Sequence, residues 1–589
     1  MQKKNLQNRL LFVAAVPCLV FLAISVFYIF FFHVSPLSRD QWHMYFPYFN
    51  EGLLNAALYP QSNHRHIIPY FIFHIDMEWF EGNNHFLVAF GFFFDLLIIA
   101  FLCHALWLQE RLSLFTKTTI TFFIAIELLW LLNIAQLGWG FMSTMYYFAI
   151  FFYLLAIYMA WKALSIDVNS LDKKHLFFAA LFGVLCTFSF GIGILVWPAM
   201  LVIAFYMRAP FRFYIFVSGL LLACLIVFFV LPGGKSVSAA LGFNFMATLT
   251  FPFKLAGGPV YFVFKSFRCF DPAFLKNFSI TLGAVAMFAG VLLLLEPLLR
   301  KRQFSAFEIL CYALMLLGIS TPMLITFSRI EMFLDPFVDR YQIWVTMFWL
   351  GFIPLCFLSV KWKPVFYGLR VMVLVLPFLL LPSQLDLGAR LAEYKMRVDN
   401  ALLSYQMYIP VRQDAIDALH WNWEYKLPYF FDVLEHLREQ DKNIFNDRLD
   451  EWVGAMATLA QQLPACDILF NEKKQVKKNQ LLNVADYYAD TSNRWMLPGK
   501  GMAEMQLKAN VASPANWDTG LWLDDNNRVV GLAHFVWQPP LPRGHFDFVG
   551  KRYNFYGVIN LSNQLAGDGV KLLLLEQGRQ RCLYQLKLD

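Results

Sequence analysis

Long apolar stretches recur along this chain, and they limit its fold more than any other feature. A helix needs about 20 mostly apolar residues to cross the hydrocarbon core of a bilayer. Eleven stretches approach that length, namely 10–32, 84–106, 118–137, 141–161, 175–190, 191–207, 213–232, 278–299, 305–326, 342–360 and 365–383. Since 59% of the residues are hydrophobic and only 15% are charged, residues 1–383 are predicted to form an α-helical polytopic membrane domain of about 11 helices.

The fifth and sixth stretches form one apolar run that is interrupted at 188–193. The sequence there is Phe-Ser-Phe-Gly-Ile-Gly. Non-helical backbone at membrane depth is tolerated only where protein shields it. We therefore predict a tight turn or a re-entrant bend between two helices.

Basic residues in the short loops predict how the helices are oriented. Lys and Arg accumulate in cytoplasmic loops, and every second predicted loop carries them. These residues are Arg111, Lys117, Lys162, Lys173, Lys174, Arg208, Arg212, Arg300, Lys301, Arg302, Lys361 and Lys363. The first stretch is too long for a cleaved signal peptide, so the N-terminus is predicted to be cytoplasmic. Eleven spans then place the C-terminal part outside the cytoplasm, at the outer face of the membrane.

Beyond residue 383 the composition becomes that of a soluble protein. Residues 384–463 have helical, amphipathic spacing, and residues 464–589 have the alternation of short strands. The segment 520–532 is typical of a hairpin with a polar turn, and 570–575 of a buried strand. We predict a periplasmic helical segment followed by a small β-sandwich, which together form an α+β domain.

Three loops on the outer face, 34–83, 233–277 and 327–341, contain the candidate functional residues. The first has two aromatic-rich segments, 40–56 and 66–80, that are typical of helices lying at a membrane surface. The second is basic and rich in Phe, which suits either the binding of a lipid phosphate or snorkelling to headgroups. Its cations include Lys235, Lys254, Lys265 and Arg268. The net charge of +7 arises from such scattered groups, which do not form a nucleic-acid-binding track.

Asp40 follows the first apolar stretch, in the sequence Ser38-Arg39-Asp40-Gln41-Trp42. An ionisable residue at a bilayer edge is a functional candidate. A carboxylate within reach of a hydroxyl can remove its proton as a general base, and Gln41 is a candidate contact for the same substrate. The alternative is structural, because Asp is also a favoured helix N-cap.

His64, Arg65 and His66 form the next candidate group, in the same loop. They suit the binding of anionic oxygens or a proton relay through imidazole. Metal binding is a weaker hypothesis, since no third ligand motif accompanies the two histidines. The structural alternative is a basic cluster that anchors the loop at lipid headgroups.

Arg329, Arg340 and Tyr341 lie in the third loop, beside apolar stretches. The planar guanidinium matches pairs of phosphate oxygens, and a phosphate leaving group needs its charge neutralised. The alternative is ion pairing, for example of Arg329 with Glu331 or of Arg340 with Asp335. These residues predict that a phosphate-linked lipid is handled at the outer face.

Together these motifs resemble those of the GT-C glycosyltransferases, polytopic membrane enzymes that use sugars linked to lipid phosphates. More closely, the chain is similar to bacterial members that modify surface glycans or pilins. The resemblance spans residues 1–383, and it rests on 40–42, 63–66, 188–198, 328–329 and 340–341.

The resemblance implies an inverting transfer from a polyprenyl-phosphate-linked sugar to a glycan, lipid or protein acceptor. It assigns Asp40 as the catalytic acidic residue of the first outer loop, and it implies neither a nucleotide-sugar site nor an organic cofactor. Many relatives have two adjacent acidic residues here, whereas Gln41 follows Asp40, which argues against a divalent metal. The C-terminal domain resembles β-sandwich modules that contact acceptors or partners.

Two alternatives remain open at this point. A transporter or flippase of a lipid-linked saccharide would carry charged residues near the bilayer midplane and two related halves. Most of the notable charges gather at one face and no half-repeat is evident, although Asp95 lies within the second stretch. An oligosaccharide ligase or polymerase would share this layout and differ in its donor.

Overall fold

The structure, a computed structural model, describes most of the helical part of the chain and the strands that follow. The described residues are 2–60, 64–165, 171–231, 245–299, 304–328, 335–360, 362–407, 423–440, 442–443, 470–475, 502–511, 519–523, 529–538, 551–560, 569–576 and 579–587. Contacts within the chain divide it into two units. The first comprises Met1–His33, Asn50–Asp76 and Asn84–Gly388, and the second comprises Val34–Phe49, Met77–Asn83 and Ala389–Asp589.

The helices of the described residues follow the predicted apolar stretches. They are α1 (Gln2–Phe32), α2 (Asp40–Glu51), α3 (Leu53–Leu58), α4 (Ile67–Trp79), α5 (His85–Trp107), α6 (Leu114–Leu129), α7 (Ile134–Gly138), α8 (Gly140–Ser165), α9 (Lys173–Thr187), α10 (Val196–Tyr206), α11 (Phe211–Val230), α12 (Phe245–Leu255), α13 (Gly258–Phe267), α14 (Pro272–Leu299), α15 (Ala306–Ser328), α16 (Gln342–Ser359), α17 (Lys363–Met407) and α18 (Trp423–Glu439). Short 3₁₀ helices occupy Leu131–Asn133, Gly191–Leu195 and Asp339–Tyr341.

Nine helical segments within the described residues are long and apolar enough to cross a membrane. This indicates a multi-pass membrane protein, as predicted, but with nine long helices where about eleven were expected. The two remaining stretches form α9 and α10, which have 15 and 11 residues. They are short because the apolar run is broken between them.

The break itself is present where the glycines and the serine predicted it. The helix α9 ends at Thr187, and the 3₁₀ helix Gly191–Leu195 precedes α10. A Cβ atom on Gly193 would overlap the backbone carbonyl of Cys186. Glycine is therefore needed for the chain to turn back this closely onto α9.

The helices α5 and α8 pack side by side in the same direction. Near their first turns the hydroxyl of Thr144 donates to the carbonyl of Leu87 at 3.2 Å. Further along both helices, the rings of Phe94 and Phe148 lie 4.9 Å apart between centroids. Gly91 has no side chain at the closest approach, where a Cβ atom would overlap Ser143. This packing determines which residues of α5 and α8 face each other.

Residues 34–83 contain helices where the sequence predicts them. The segment predicted at 40–56 is two helices, α2 and α3, because Gly52 adopts a positive φ of 83° and separates them. Such a φ costs glycine little. The segment predicted at 66–80 corresponds to α4.

The strands of the second unit form one antiparallel sheet of seven strands in the order β1-β2-β5-β4-β3-β6-β7. They are β1 (Phe470–Gln475), β2 (Met502–Val511), β3 (Thr519–Leu523), β4 (Val529–Gln538), β5 (Lys551–Asn560), β6 (Gly569–Glu576) and β7 (Arg579–Lys587). The predicted hairpin pairs β3 with β4, with Leu521 opposite Leu532. The described strands do not show the two packed sheets of a sandwich.

The helix α17 crosses the boundary that composition predicted at residue 383. It runs without interruption from Lys363 to Met407, and the division between the two units falls within it, after Gly388. The composition changes along this helix while the helix itself continues, even past Pro377 and Pro382, which lack a backbone N–H. The segment predicted as a helical domain, 384–463, is therefore partly a continuation of the last apolar helix.

Candidate functional site

Five rings from four parts of the first unit form a cluster around Phe190, hereafter the ring cluster. His64 and Tyr146 lie 5.0 Å and 4.5 Å from its ring, between centroids. His66 is stacked on it at 5.7 Å, and Trp344 is nearly parallel to it at 6.4 Å. Tyr146 and Trp344 are also stacked on each other at 5.3 Å. Two motifs that the sequence analysis singled out separately, 63–66 and 188–198, therefore meet.

The local structure explains why these rings converge. His64 and His66 lie just before α4, whose second residue, Ile68, donates its N–H to the carbonyl of Phe188 at 3.2 Å. A ring nitrogen of His66 lies 3.3 Å from the carbonyl of Ser189. The break in the apolar run thus places Phe190 beside the start of α4.

Burial differs between the members of the ring cluster. Tyr146, Phe190 and His66 are buried, and Trp344 is only 1% exposed. His64 is half-buried, so it is the most accessible ring of the cluster. The buried rings hold its imidazole in position, since π-systems of this kind favour offset-stacked and edge-on contacts.

Arg340 and Tyr341 belong to the 3₁₀ helix Asp339–Tyr341, one turn before Trp344. The amide of Gln136 donates to the backbone carbonyl of Arg340 at 2.9 Å. The guanidinium of Arg340 lies 4.9 Å from the centroid of the Tyr341 ring, a cation–π distance. This motif therefore approaches the ring cluster through Trp344, while Arg329 lies outside the described residues.

Arg65 joins the ends of two helices. It is completely buried, and its guanidinium donates to the carbonyl of Phe228 at 2.8 Å and to that of Leu231 at 2.7 Å. It also donates to the carbonyl of Leu58. These carbonyls lie at the C-terminal ends of α11 and α3, where backbone acceptors lack helical partners. These bonds give Arg65 a structural role, and burial lowers its pKa.

Asp40 and Gln41 belong to the second unit. Gln41 is buried, and its side-chain oxygen accepts the backbone N–H of Ser38 at 3.1 Å. A glutamine three residues after a serine that reaches back in this way forms half of a capping box. Gln41 therefore helps to cap the start of α2.

Asp40 is the first residue of α2 and is half-buried. Arg39 has a positive φ of 53°, and its guanidinium lies 4.5 Å from the centroid of the Tyr394 ring. The same phenol interacts electrostatically with Asp40. The carboxylate thus has the Tyr394 phenol for a neighbour, and Arg39 precedes it in the chain.

Aromatic contacts hold α2 against α18 within the second unit. Trp42 lies 4.6 Å from Phe430, and Phe46 lies 4.5 Å from Tyr429, between ring centroids. At the end of α2 the ring of Phe49 is stacked on His436 at 5.3 Å. A helix of the soluble-like region therefore supports the helix that carries Asp40, which sequence reasoning did not predict.

Sequence reasoning also missed two groups of the first unit. The imidazoles of His33 and His85 form a hydrogen bond, and their ring centroids lie 4.6 Å apart. Asp76 is completely buried in the last turn of α4. Burial raises the pKa of Asp76 to about 7, although the backbone N–H of Asn84 opposes that rise. An acidic residue among apolar neighbours in 66–80 was the available signal.

The raised pKa of Asp76 predicts a pH-dependent stability. The folded chain retains this proton up to about pH 7, whereas the unfolded chain loses it near its ordinary pKa of about 3.9. The cost of burying the carboxylate therefore grows between about pH 4 and pH 7 and then levels off. We expect Asp76→Asn to stabilise the protein more at pH 8 than at pH 5, by about 2–3 kcal/mol.

Thermal unfolding in detergent at the two pH values measures this difference. Glu110→Gln is the matched control, because Glu110 is an exposed carboxylate and its replacement is expected to act equally at both pH values. An Asp76→Asn variant with the same small effect at pH 5 and pH 8 would contradict the raised pKa.

Within the described residues, no group of three or more His, Cys, Asp or Glu side chains is arranged to hold a metal ion. Lys254, Lys265 and Arg268, in the second of the three predicted outer loops, are exposed, and Lys235 lies outside the described residues.

No family model matches the chain, and neither a curated protein nor a solved structure matches it. The resemblance to GT-C glycosyltransferases therefore stays a prediction that rests on the motifs themselves.

Proposed function

We propose that the protein is a membrane glycosyltransferase of the GT-C type that takes a sugar from a polyprenyl-phosphate donor. The observation that supports this most directly is the ring cluster, in which four buried rings hold the half-buried His64 within a unit of apolar helices. The faces of aromatic rings carry negative charge density and attract the C–H-rich faces of a sugar. Apolar helices suit the isoprenoid tail of the donor.

The roles in the first unit follow from this proposal. His64 lines the sugar site, and His66 and Tyr341, which are buried, shape it from within the protein. Arg340, together with Arg329, neutralises the phosphate as the glycosidic bond breaks. Arg65 supports the loop through its bonds to helix ends, so it acts on His64 and His66 and not on the phosphate.

In the second unit, Asp40 is the general base. It accepts the proton of an acceptor hydroxyl while that oxygen attacks the anomeric carbon, and the polyprenyl phosphate leaves from the opposite side. This single displacement inverts the anomeric centre. We propose that the acceptor is a glycan, a lipid or a protein. The protein would lie in the inner membrane with a cytoplasmic N-terminus and a periplasmic C-terminal domain that includes a β-sandwich.

The test uses purified protein in detergent with a panel of radiolabelled polyprenyl-phosphate sugars and cell-envelope acceptors. Label that enters an acceptor with the wild type, and not with Asp40→Asn, supports the proposal and names the donor. If no donor supports transfer while the protein moves a lipid-linked saccharide across liposomes, the transporter or flippase takes first place. The buried Asp95 of α5 is the observation that favours this second candidate. Transfer only from an oligosaccharide on a diphosphate would indicate the ligase or polymerase.

Gly191→Ala tests the ring cluster itself. An added Cβ atom would overlap the Nδ1 of His64, so the imidazole must leave its position over Phe190. We expect transfer to fall by about ten- to a hundredfold, because small displacements of a substrate contact have effects of this size. The unfolding temperature should change little, since the atom that must move belongs to a half-buried side chain.

Gly219→Ala is the matched control, because an added Cβ atom there meets nothing within 4 Å. Equal transfer rates for the two alanine variants would remove His64 from the proposed sugar site.

A further inference from the structure

Asp95 is an acidic residue in the middle of a membrane-spanning helix. It is the eleventh of the 23 residues of α5, which puts it about 15 Å from the start of the helix, close to half the thickness of a hydrocarbon core. It is completely buried, and neither carboxylate oxygen has a hydrogen-bond partner among the described residues. An ionisable residue at this depth is costly and therefore marks a functional site.

Two hydroxyl groups of α8 lie on the face that packs against α5. The phenol of Tyr147 interacts electrostatically with the Asp95 carboxylate. Its oxygen and that of Ser143 are buried and likewise lack hydrogen-bond partners in the described part of the chain. Four oxygen atoms from three side chains are thus buried and have no hydrogen-bond partner among the described residues.

The parallel packing of α5 and α8 brings these oxygens to one level. Ser143 lies against Gly91, which is one turn before Asp95, and Tyr147 is one turn after Ser143. Side chains on a helix tilt toward its N-terminus, so the Asp95 carboxylate is directed to the level of Gly91. Because Gly91 has no side chain, the Ser143 hydroxyl fits directly against its backbone at this level.

We propose that Asp95, Tyr147 and Ser143 form a binding site for a sodium ion in the interior of the first unit. Oxygen atoms are the ligands that hard cations prefer. One carboxylate balances one positive charge, so a monovalent ion leaves a neutral site in a medium of low dielectric constant. A divalent ion would leave a net positive charge there, which is costly to bury.

Thermal unfolding of the purified full-length protein in detergent tests this site. Sodium chloride is titrated at constant ionic strength against choline chloride. A ligand that binds only the folded state raises the unfolding temperature in a saturable manner. We expect a rise of about 2 °C or more in the wild type and none in Asp95→Asn. Glu127→Gln, which neutralises another buried carboxylate, on α6, should keep the full rise.

Two further variants keep the test decisive if Asp95→Asn does not fold. Tyr147→Phe and Ser143→Ala retain the carboxylate and each remove one oxygen ligand, so the half-saturating sodium concentration should increase about tenfold. Radioactive sodium binding to the same proteins gives an independent readout. The site is refuted if the wild type shows no sodium-dependent rise, if Asp95→Asn retains it, or if stability responds to pH alone, which would indicate a protonated carboxyl.

Discussion

Asp40→Asn is expected to lower the rate of sugar transfer by about 10²–10⁴-fold, the range that a general base contributes. Asparagine has the shape of aspartate and can also cap a helix, so α2 should still begin at this position. It cannot accept the proton of the acceptor hydroxyl. Initial rates with the donor identified by the panel measure the effect, and the unfolding temperature should stay within about 1 °C of the wild type.

Glu51→Gln provides the matched control at the other end of the same helix. Glu51 is the last residue of α2 and is exposed, so its neutralisation should leave both rate and stability unchanged. A large loss in Asp40→Asn alone assigns the base. Wild-type rates in Asp40→Asn would mean that Asp40 is only the first residue of its helix, and another group would have to remove the proton.

Arg65→Met should destabilise the protein by about 3–5 kcal/mol or prevent its folding, because breaking a buried charged network has a cost of this size. The substitution keeps an apolar side chain of similar length but leaves the carbonyls of Leu58, Phe228 and Leu231 without their donor. Arg65→Lys should be intermediate, since a single ammonium cannot reproduce the planar fork. Thermal unfolding and the yield of monodisperse protein measure both effects.

Arg268→Met is the control for this pair of variants. Its side chain is 64% exposed and forms one ion pair with Asp386 at 3.9 Å, so we expect a loss of under about 1 kcal/mol. The structural role of Arg65 would be refuted by an Arg65→Lys protein that remains fully stable but no longer transfers sugar. That outcome would return Arg65 to the phosphate site that the sequence suggested.

The helix α18 has a consequence for the proposed base. Its aromatic residues pack along α2, so the C-terminal region supports the helix of Asp40, and its contact with acceptors stays a prediction. The sequence alone suggested only the second role, because α2 and α18 are separated by more than 370 residues and each looks like an independent amphipathic segment.

The outcomes for individual residues show where local signals are sufficient. The capping role of Gln41 could have been predicted, because a glutamine three residues after Ser38 is a local pattern. Arg65 could not, since its partners Phe228 and Leu231 lie more than 160 positions away. A buried arginine that caps helices and an arginine that binds phosphate look the same in a sequence.

The sequence by itself determined that the protein has long apolar helices, that one apolar run breaks near Gly191, and that helices follow Asp40 and His66. Hydrophobic length, glycine and capping residues act within a few residues of one another, so they can be read along the chain. Only the tertiary structure decided that Phe190 gathers His64, Tyr146 and Trp344, and that Asp95 faces Tyr147. These contacts depend on how helices pack against each other. Packing brings together residues that are far apart in the sequence, and no local sequence pattern predicts which of them meet.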